Sequence, residues 1–217
     1  MNANEFAIDR NDANARKIGG AGRINATGQY EGVFTRAEAR KSDKGSIGIE
    51  FDFKTDEGAT ASFLQVWRMN GAGGELSGAK IVDAIMLLLR AKNMSPVFAT
   101  VDKWDKEASA VTKQKCLVYP DLMSKPIGLL LQKEHDEYQG NPTEKMIIYG
   151  CYDIASGKTP MEIVDKKPAG GLEGIVAALK DKQAKKKSGN PAQVHHGAHS
   201  GARSAHNFND MDDDIPF

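Results

Sequence analysis

Cysteine is scarce in this sequence. Cys116 and Cys151 are its only two, they lack Cys-x-x-Cys spacing, and so they supply neither a disulfide framework nor a structural zinc site. Such cysteine usage suits a reducing compartment, and the expected location is cytoplasmic. Long apolar runs are missing as well: the longest, Ala84 to Leu89, is far short of the roughly 18 residues a bilayer span requires, so no membrane partner is expected. Met1 to Arg10 carries Glu5 and Asp9 and has no basic segment leading into an apolar one, so it does not read as a secretory signal. Excess charge of either sign is also lacking. Lys+Arg and Asp+Glu each number 29, which taken alone argues against a nucleic-acid partner. What is present, 40% hydrophobic and 27% charged residues over 217 positions, is enough for one good-sized globular domain with extensions and excludes wholesale disorder.

The zero net charge is a cancellation of blocks. Met1 to Leu179 is nearly neutral, whereas Lys180, Lys182, Lys185, Lys186 and Lys187 face only Asp181 within residues 180–187. Asp210, Asp212, Asp213 and Asp214 then crowd the last eight residues with no base among them. Between these blocks, residues 188–209 are mostly Gly, Ser, Ala, Asn and His, too poor in apolar surface to offset the entropy of ordering them. A flexible linker of about 20 residues would let the acidic tip range roughly 25 Å from its anchor. The expected organisation is a body over 1–165, a basic C-terminal helix over 166–187, a linker over 188–209 and an acidic tip over 210–217.

Within the body, Gly28 to Ala37 has strand content, with Tyr30, Gly32, Phe34 and Arg36 predicted on one face and Gly32 marking a bulge or a close backbone approach. Ser46 to Thr55 alternates strictly, with Ile47, Ile49, Phe51 and Phe53 inward and Glu50 and Asp52 outward. Thr60 to Met69 follows, with Phe63, Gln65 and Trp67 on one face and Leu64 and Val66 on the other. Short turns at Ser42 to Gly45 and Asp56 to Gly58 make these three strands an antiparallel meander. Ser77 is a candidate N-cap for a helix carrying Ile81, Val82, Ile85, Leu88 and Leu89 on one stripe. Pro96–Val101, Lys115–Tyr119, Ile127–Glu134 and Lys145–Ile154 are further strand candidates, the last two separated by a turn at Gln139 to Pro142, and Leu172 to Lys186 is a second helix. This order predicts a mainly β chain, an OB-fold-like antiparallel barrel with one or two helices and a disordered C-terminal tail.

Met211-Asp212-Asp213-Asp214-Ile215-Pro216-Phe217 resembles the carboxy-terminal tip of bacterial single-stranded DNA-binding proteins, a few aspartates followed by a final Ile-Pro-Phe. The body is longer than the usual bacterial domain and is closer in character to the phage-encoded members of that group. The resemblance implies binding and coating of single-stranded DNA without sequence preference in replication, recombination or repair. It also implies that Asp212, Asp213, Asp214, Ile215, Pro216 and Phe217 recruit host replication and repair proteins. An exposed Phe beside a free carboxylate, preceded by acids, suits an apolar pocket rimmed with Arg and Lys on such a partner. A homo-oligomer is compatible with this reading. An adaptor, or a DNA-processing enzyme such as a nuclease or annealing factor with the same tip, is the alternative.

Single-strand binding without base preference needs cations for phosphates and flat rings for bases. The candidates are Tyr30, Phe34, Arg36, Arg40, Lys41 and Lys44 in and after the first strand, Trp67 with Arg68, Trp104, and Tyr119. Phe51 and Phe53 are assigned to the core. No catalytic group, metal or cofactor is expected. Gly19-Gly20-Ala21-Gly22 lacks phosphate-loop spacing, His195, His196 and His199 lie in the linker without companion ligands, and His135 among Glu134, Asp136 and Glu137 reads as a solvated strand end.

Overall fold

The structure, a computed structural model, describes residues 22–138 and 141–184. The linker and the acidic tip lie outside the described residues. Strand β1 (Gly28–Lys41), β2 (Ile47–Thr55) and β3 (Thr60–Met69) form the expected meander. Helix α1 (Gly78–Leu88) follows, then the hairpin β4 (Val97–Asp105) and β5 (Ala110–Val118), and then β6 (Pro126–Tyr138) and β7 (Asn141–Tyr152). Two short helices, α2 (Pro160–Val164) and α3 (Gly171–Ala178), and a two-residue strand β8 (Lys182–Gln183) complete the described chain.

One edge of β1 belongs to β2. The other is shared, with β6 pairing Gly28 to Val33 and β5 reaching Glu38. Because β6 also pairs β7, and β7 comes back against β3, the strands β2, β1, β6, β7 and β3 curve into a mainly β, OB-fold-like barrel. It is partly open, since among the described residues β3 and β7 approach without ladder hydrogen bonds. Helix α1 lies over this seam, burying Ala79, Ile81, Val82, Ala84 and Ile85. Ser77 does precede it, but its side chain makes no capping bond.

The barrel interior holds Phe34, Phe51, Phe53, Leu64, Val66, Ile85, Leu129 and Leu131 in one cluster. Phe34 stacks 4.4 Å from Phe51 and meets Phe53 edge-on at 5.9 Å. Here the predicted facing of β1 needs a correction. The β1–β2 register slips between Phe34 and Arg36, so Thr35 is a bulge residue, and alternation restarts with the opposite hand. Phe34 and Ala37 therefore point into the barrel, while Arg36, Glu38 and Arg40 sit on its outer side. Gly32 lies just before the bulge, where a Cβ would stand 2.1 Å from the Lys54 carbonyl oxygen, the close approach its position predicted.

The C-terminal lysines also depart from expectation. Helix α3 stops at Ala178 and Leu179 is extended. The chain is then held by the β6 edge: Gln132 Nε2 donates to the Lys180 carbonyl at 2.7 Å, and Glu134 and His135 pair in parallel with Lys182 and Gln183. Asp181 accepts from Thr27 Oγ1 at 2.5 Å and lies 3.0 Å from His135 Nε2, which holds its carboxyl below the usual carboxylate range. These bonds favour an extended strap over continued helix, so among the described residues the helix expected over 166–187 stops at Ala178.

Candidate nucleic-acid interface

On the outer side of β1, β2 and β3 lies a balanced ionic cluster. Arg36, fully buried, binds Glu38, Glu50 at 2.9 Å and Asp52 at 2.8 Å. Lys103, from β4, donates to Glu38 at 2.7 Å, and Arg40 reaches Glu38 at 3.3 Å and lies 3.8 Å from Glu50. Burial disfavours the Arg36 charge, but the hydrogen bonds and charges of Asp52 and Glu50 outweigh it and raise its pKa. Burial likewise pushes Glu38 up, and the Lys103 hydrogen bond with the charges of Arg36, Lys103 and Arg40 more than reverses this. Three cations thus meet three carboxylates. Arg36 is removed from the candidate DNA ligands, because it is sealed and its fork is fully engaged. Phe34 is removed because it is core.

Beside this cluster, Phe63, Gln65 and Trp67 follow one another along β3 on the face away from the barrel core, over roughly 13 Å of strand. Phe63 is 40% exposed and held at a φ of 61°, where the β2–β3 register slips and Asp52 accepts its backbone N–H at 3.0 Å. A bulky residue in the left-handed region costs about 1–3 kcal/mol and is kept only where its surroundings impose it. Trp67 lies across Gly48, where a Cβ would meet the Val66 carbonyl at 2.4 Å and the indole at 3.0 Å.

Trp67 and Gln65 line one wall of a groove of about 760 Å³ along the β3–β7 seam. Ile147 and Tyr149 of β7 form the other wall, Gln132 and Lys182 stand at one side, and Ser42, Lys44 and Ser46 of the β1–β2 turn at another. The groove thus gathers two aromatic rings, two primary amides and two ammonium groups. Lys182 is half-exposed and 3.6 Å from Glu134; among the described residues Lys41 and Lys44 make no ion pair.

The remaining candidates are dispersed. Arg68 is tied to Asp83 at 3.1 Å. Tyr30 donates to the Ala26 carbonyl and packs on the barrel core, and Tyr119 is half-buried against the same core. Trp104, 44% exposed, sits on the outward face of the β4–β5 hairpin with Phe98 and Val111, and Lys115 Nζ lies 5.3 Å from the Phe98 ring centre. Only Lys44 and Trp67 of the sequence candidates share the groove. Tyr149 and Gln132 were missed, since nothing in the sequence sets β6 and β7 beside β3.

Both thiols are free and buried, and burial pushes Cys151 up to about 12. Among the described residues no cluster of His, Cys, Asp and Glu has metal-binding geometry, and no helix is long and apolar enough to cross a membrane. No protein-family model matches the chain, and none of the curated proteins matches it either.

Proposed function

We propose that the chain binds and coats single-stranded DNA without sequence preference, as a phage-type protein of replication, recombination or repair. The observation that carries this reading is the seam groove, where Trp67 and Tyr149 are joined by Lys44 and Lys182 on an OB-fold-like barrel. Every base has a π-face, so stacking on these rings is tolerant of sequence, at about 1–3 kcal/mol per base. Lys44, Lys182 and the nearby Lys41 meet phosphates, and the amides of Gln65 and Gln132, each with one N–H already given to Glu50 and to the Lys180 carbonyl respectively, keep a second N–H and a carbonyl oxygen for the base edge presented. The protein acts by occupancy, not by bond chemistry. The tip, Asp212 to Phe217, brings host replication and repair proteins to the coated strand in the host cytoplasm.

The test is titration of the full chain with oligo(dT), followed by tryptophan fluorescence, in the wild type and in Trp67→Ala and Trp104→Phe. Salt-sensitive quenching that survives Trp104→Phe is expected, with affinity falling about 5- to 150-fold in Trp67→Ala. Absence of binding at low salt refutes the proposal, and metal-dependent shortening of the oligonucleotide would favour a nuclease.

A further inference from the structure

Strand β4 ends the sheet. All nine of its residues pair with β5 in an unbroken register, and among the described residues no strand pairs its other edge. Such an edge is a template for another chain unless proline, bulges or charges guard it. Here Val97 to Asp105 contains no proline and no bulge, its one lysine, Lys103, is turned inward onto Glu38, and its exposed carboxylate, Asp102, is paired to Lys113 of β5 at 3.3 Å. Val97, Phe98 and Trp104 are exposed along it, at 46%, 69% and 44%.

We propose that β4 binds a second copy of this chain, edge to edge and antiparallel, about a two-fold axis at Val101. In that register Phe98 lies opposite the partner's Trp104, and Trp104 opposite the partner's Phe98, two aromatic cross-strand pairs of the kind that stabilise sheets. Thr100 meets the partner's Asp102, Ala99 the partner's Lys103, and Val97 the partner's Asp105, so no like charges are opposed. Neighbouring registers lack this complementarity. Centred on Asp102, the pair opposes that carboxylate to its own copy. Centred on Thr100, it sets Phe98 against the partner's Asp102 and brings Pro96 into the ladder. Registers centred between residues turn the outward face of one copy inward on the other. The self-complementarity of β4 therefore selects one isologous contact. It would join two hairpins into a four-stranded outer face and leave the seam groove of each copy on its own barrel.

The contact is one strand about 30 Å long, below the size of a standard interface, so association is expected in the micromolar range. The experiment is sedimentation velocity of the full chain without DNA, across about 1–100 µM. The wild type should move from monomer to dimer over that range. Phe98→Glu should remain monomeric with an unchanged far-UV circular dichroism spectrum, its carboxylate lying beside Lys115. Adding Trp104→Lys to Phe98→Glu should restore the dimer, because each new carboxylate then faces the partner's new ammonium. A wild type that stays monomeric, a Phe98→Glu variant that still dimerises, or a double variant that stays monomeric overturns the proposal. The readout contains no DNA, so it fails or stands separately from the DNA reading.

Discussion

Replacing Arg36 by methionine should destabilise the domain without acting on DNA directly. The guanidinium is fully buried, and it is the shared partner of Glu38, Glu50 and Asp52. Methionine keeps an apolar stem that reaches about as far as Nε and deletes the guanidinium with its charge and donors. Three carboxylates would then share Lys103 and Arg40: Asp52 would keep no cation among the described residues, and Glu50, 3% exposed, would keep only Arg40 at 3.8 Å. Breaking a buried pair by removing one partner costs about 3–5 kcal/mol. Against a domain stability of about 5–15 kcal/mol, this is a large fraction of the total. The melting temperature should fall by about 6–20 °C, at roughly 2–4 °C per kcal/mol for a chain of this size. Urea unfolding followed by circular dichroism should show a lower midpoint with an unchanged slope. The effect should also depend on pH. Glu38 is held below its ordinary value of 4.5 in the folded protein, so its contribution is fully present above 4.5 and is lost as pH falls through the depressed folded value. The gap between wild type and variant should therefore narrow in that acidic window, where a protonated Glu38 no longer needs Arg36. A loss of stability below about 1 kcal/mol, accompanied by weaker oligo(dT) binding, would refute this reasoning and return Arg36 to the DNA face.

Two further outcomes follow from the same geometry. Lys44→Ala should reduce the slope of log affinity against log salt for oligo(dT) by about 0.7, the value for one phosphate contact on a single strand, as read by fluorescence anisotropy; an unchanged slope would exclude Lys44 from the strand path. Gly32→Ala should destabilise by about 1–3 kcal/mol, because the new Cβ would press on the Lys54 carbonyl and force β1 from β2, and a variant unfolding at the wild-type urea midpoint would contradict that close approach.

The meander was legible because its apolar residues recur at period two between turns rich in Gly and Asp, and α1 because Ile81, Val82 and Ile85 recur at helical spacing. The Thr35 bulge was not. One inserted residue leaves no mark on composition yet reverses the face of everything after it, so Arg36 leaves the face of Phe34 and meets Glu38, Glu50 and Asp52 on the outer side. The hairpin was truncated for a related reason. Toward its turn the inward position is Lys103, which finds Glu38, while Trp104 and Val111 face outward, so the usual alternation is inverted there although Val101, Cys116 and Val118 still face inward. Only the expected pieces at Pro96–Val101 and Lys115–Tyr119 had a conventional pattern. The strap over 179–184 was hidden because side-chain bonds to Thr27, Gln132 and Glu134, all distant in sequence, overrule the helical tendency of a lysine-rich segment.

These corrections change how a neutral body can hold a polyanion. The sequence offered Arg36, Arg40, Lys41 and Lys44, in and after the first strand, as cations for phosphates. In the fold, Arg36 and Arg40 are engaged by Glu38 and Glu50, and Lys103 is recruited to the same cluster. Few cations are left at the seam, and Lys182 already has an acidic neighbour. About three phosphate contacts give a salt slope of only about −2 for a single strand, so Coulombic attraction alone predicts weak binding. Under the proposed single-strand binding, stacking must then supply the larger share of affinity, which puts the energetic weight on Trp67 and Tyr149. Under the same proposal, preference for single strands over duplex is expected, because bases inside a double helix cannot offer their faces to those rings.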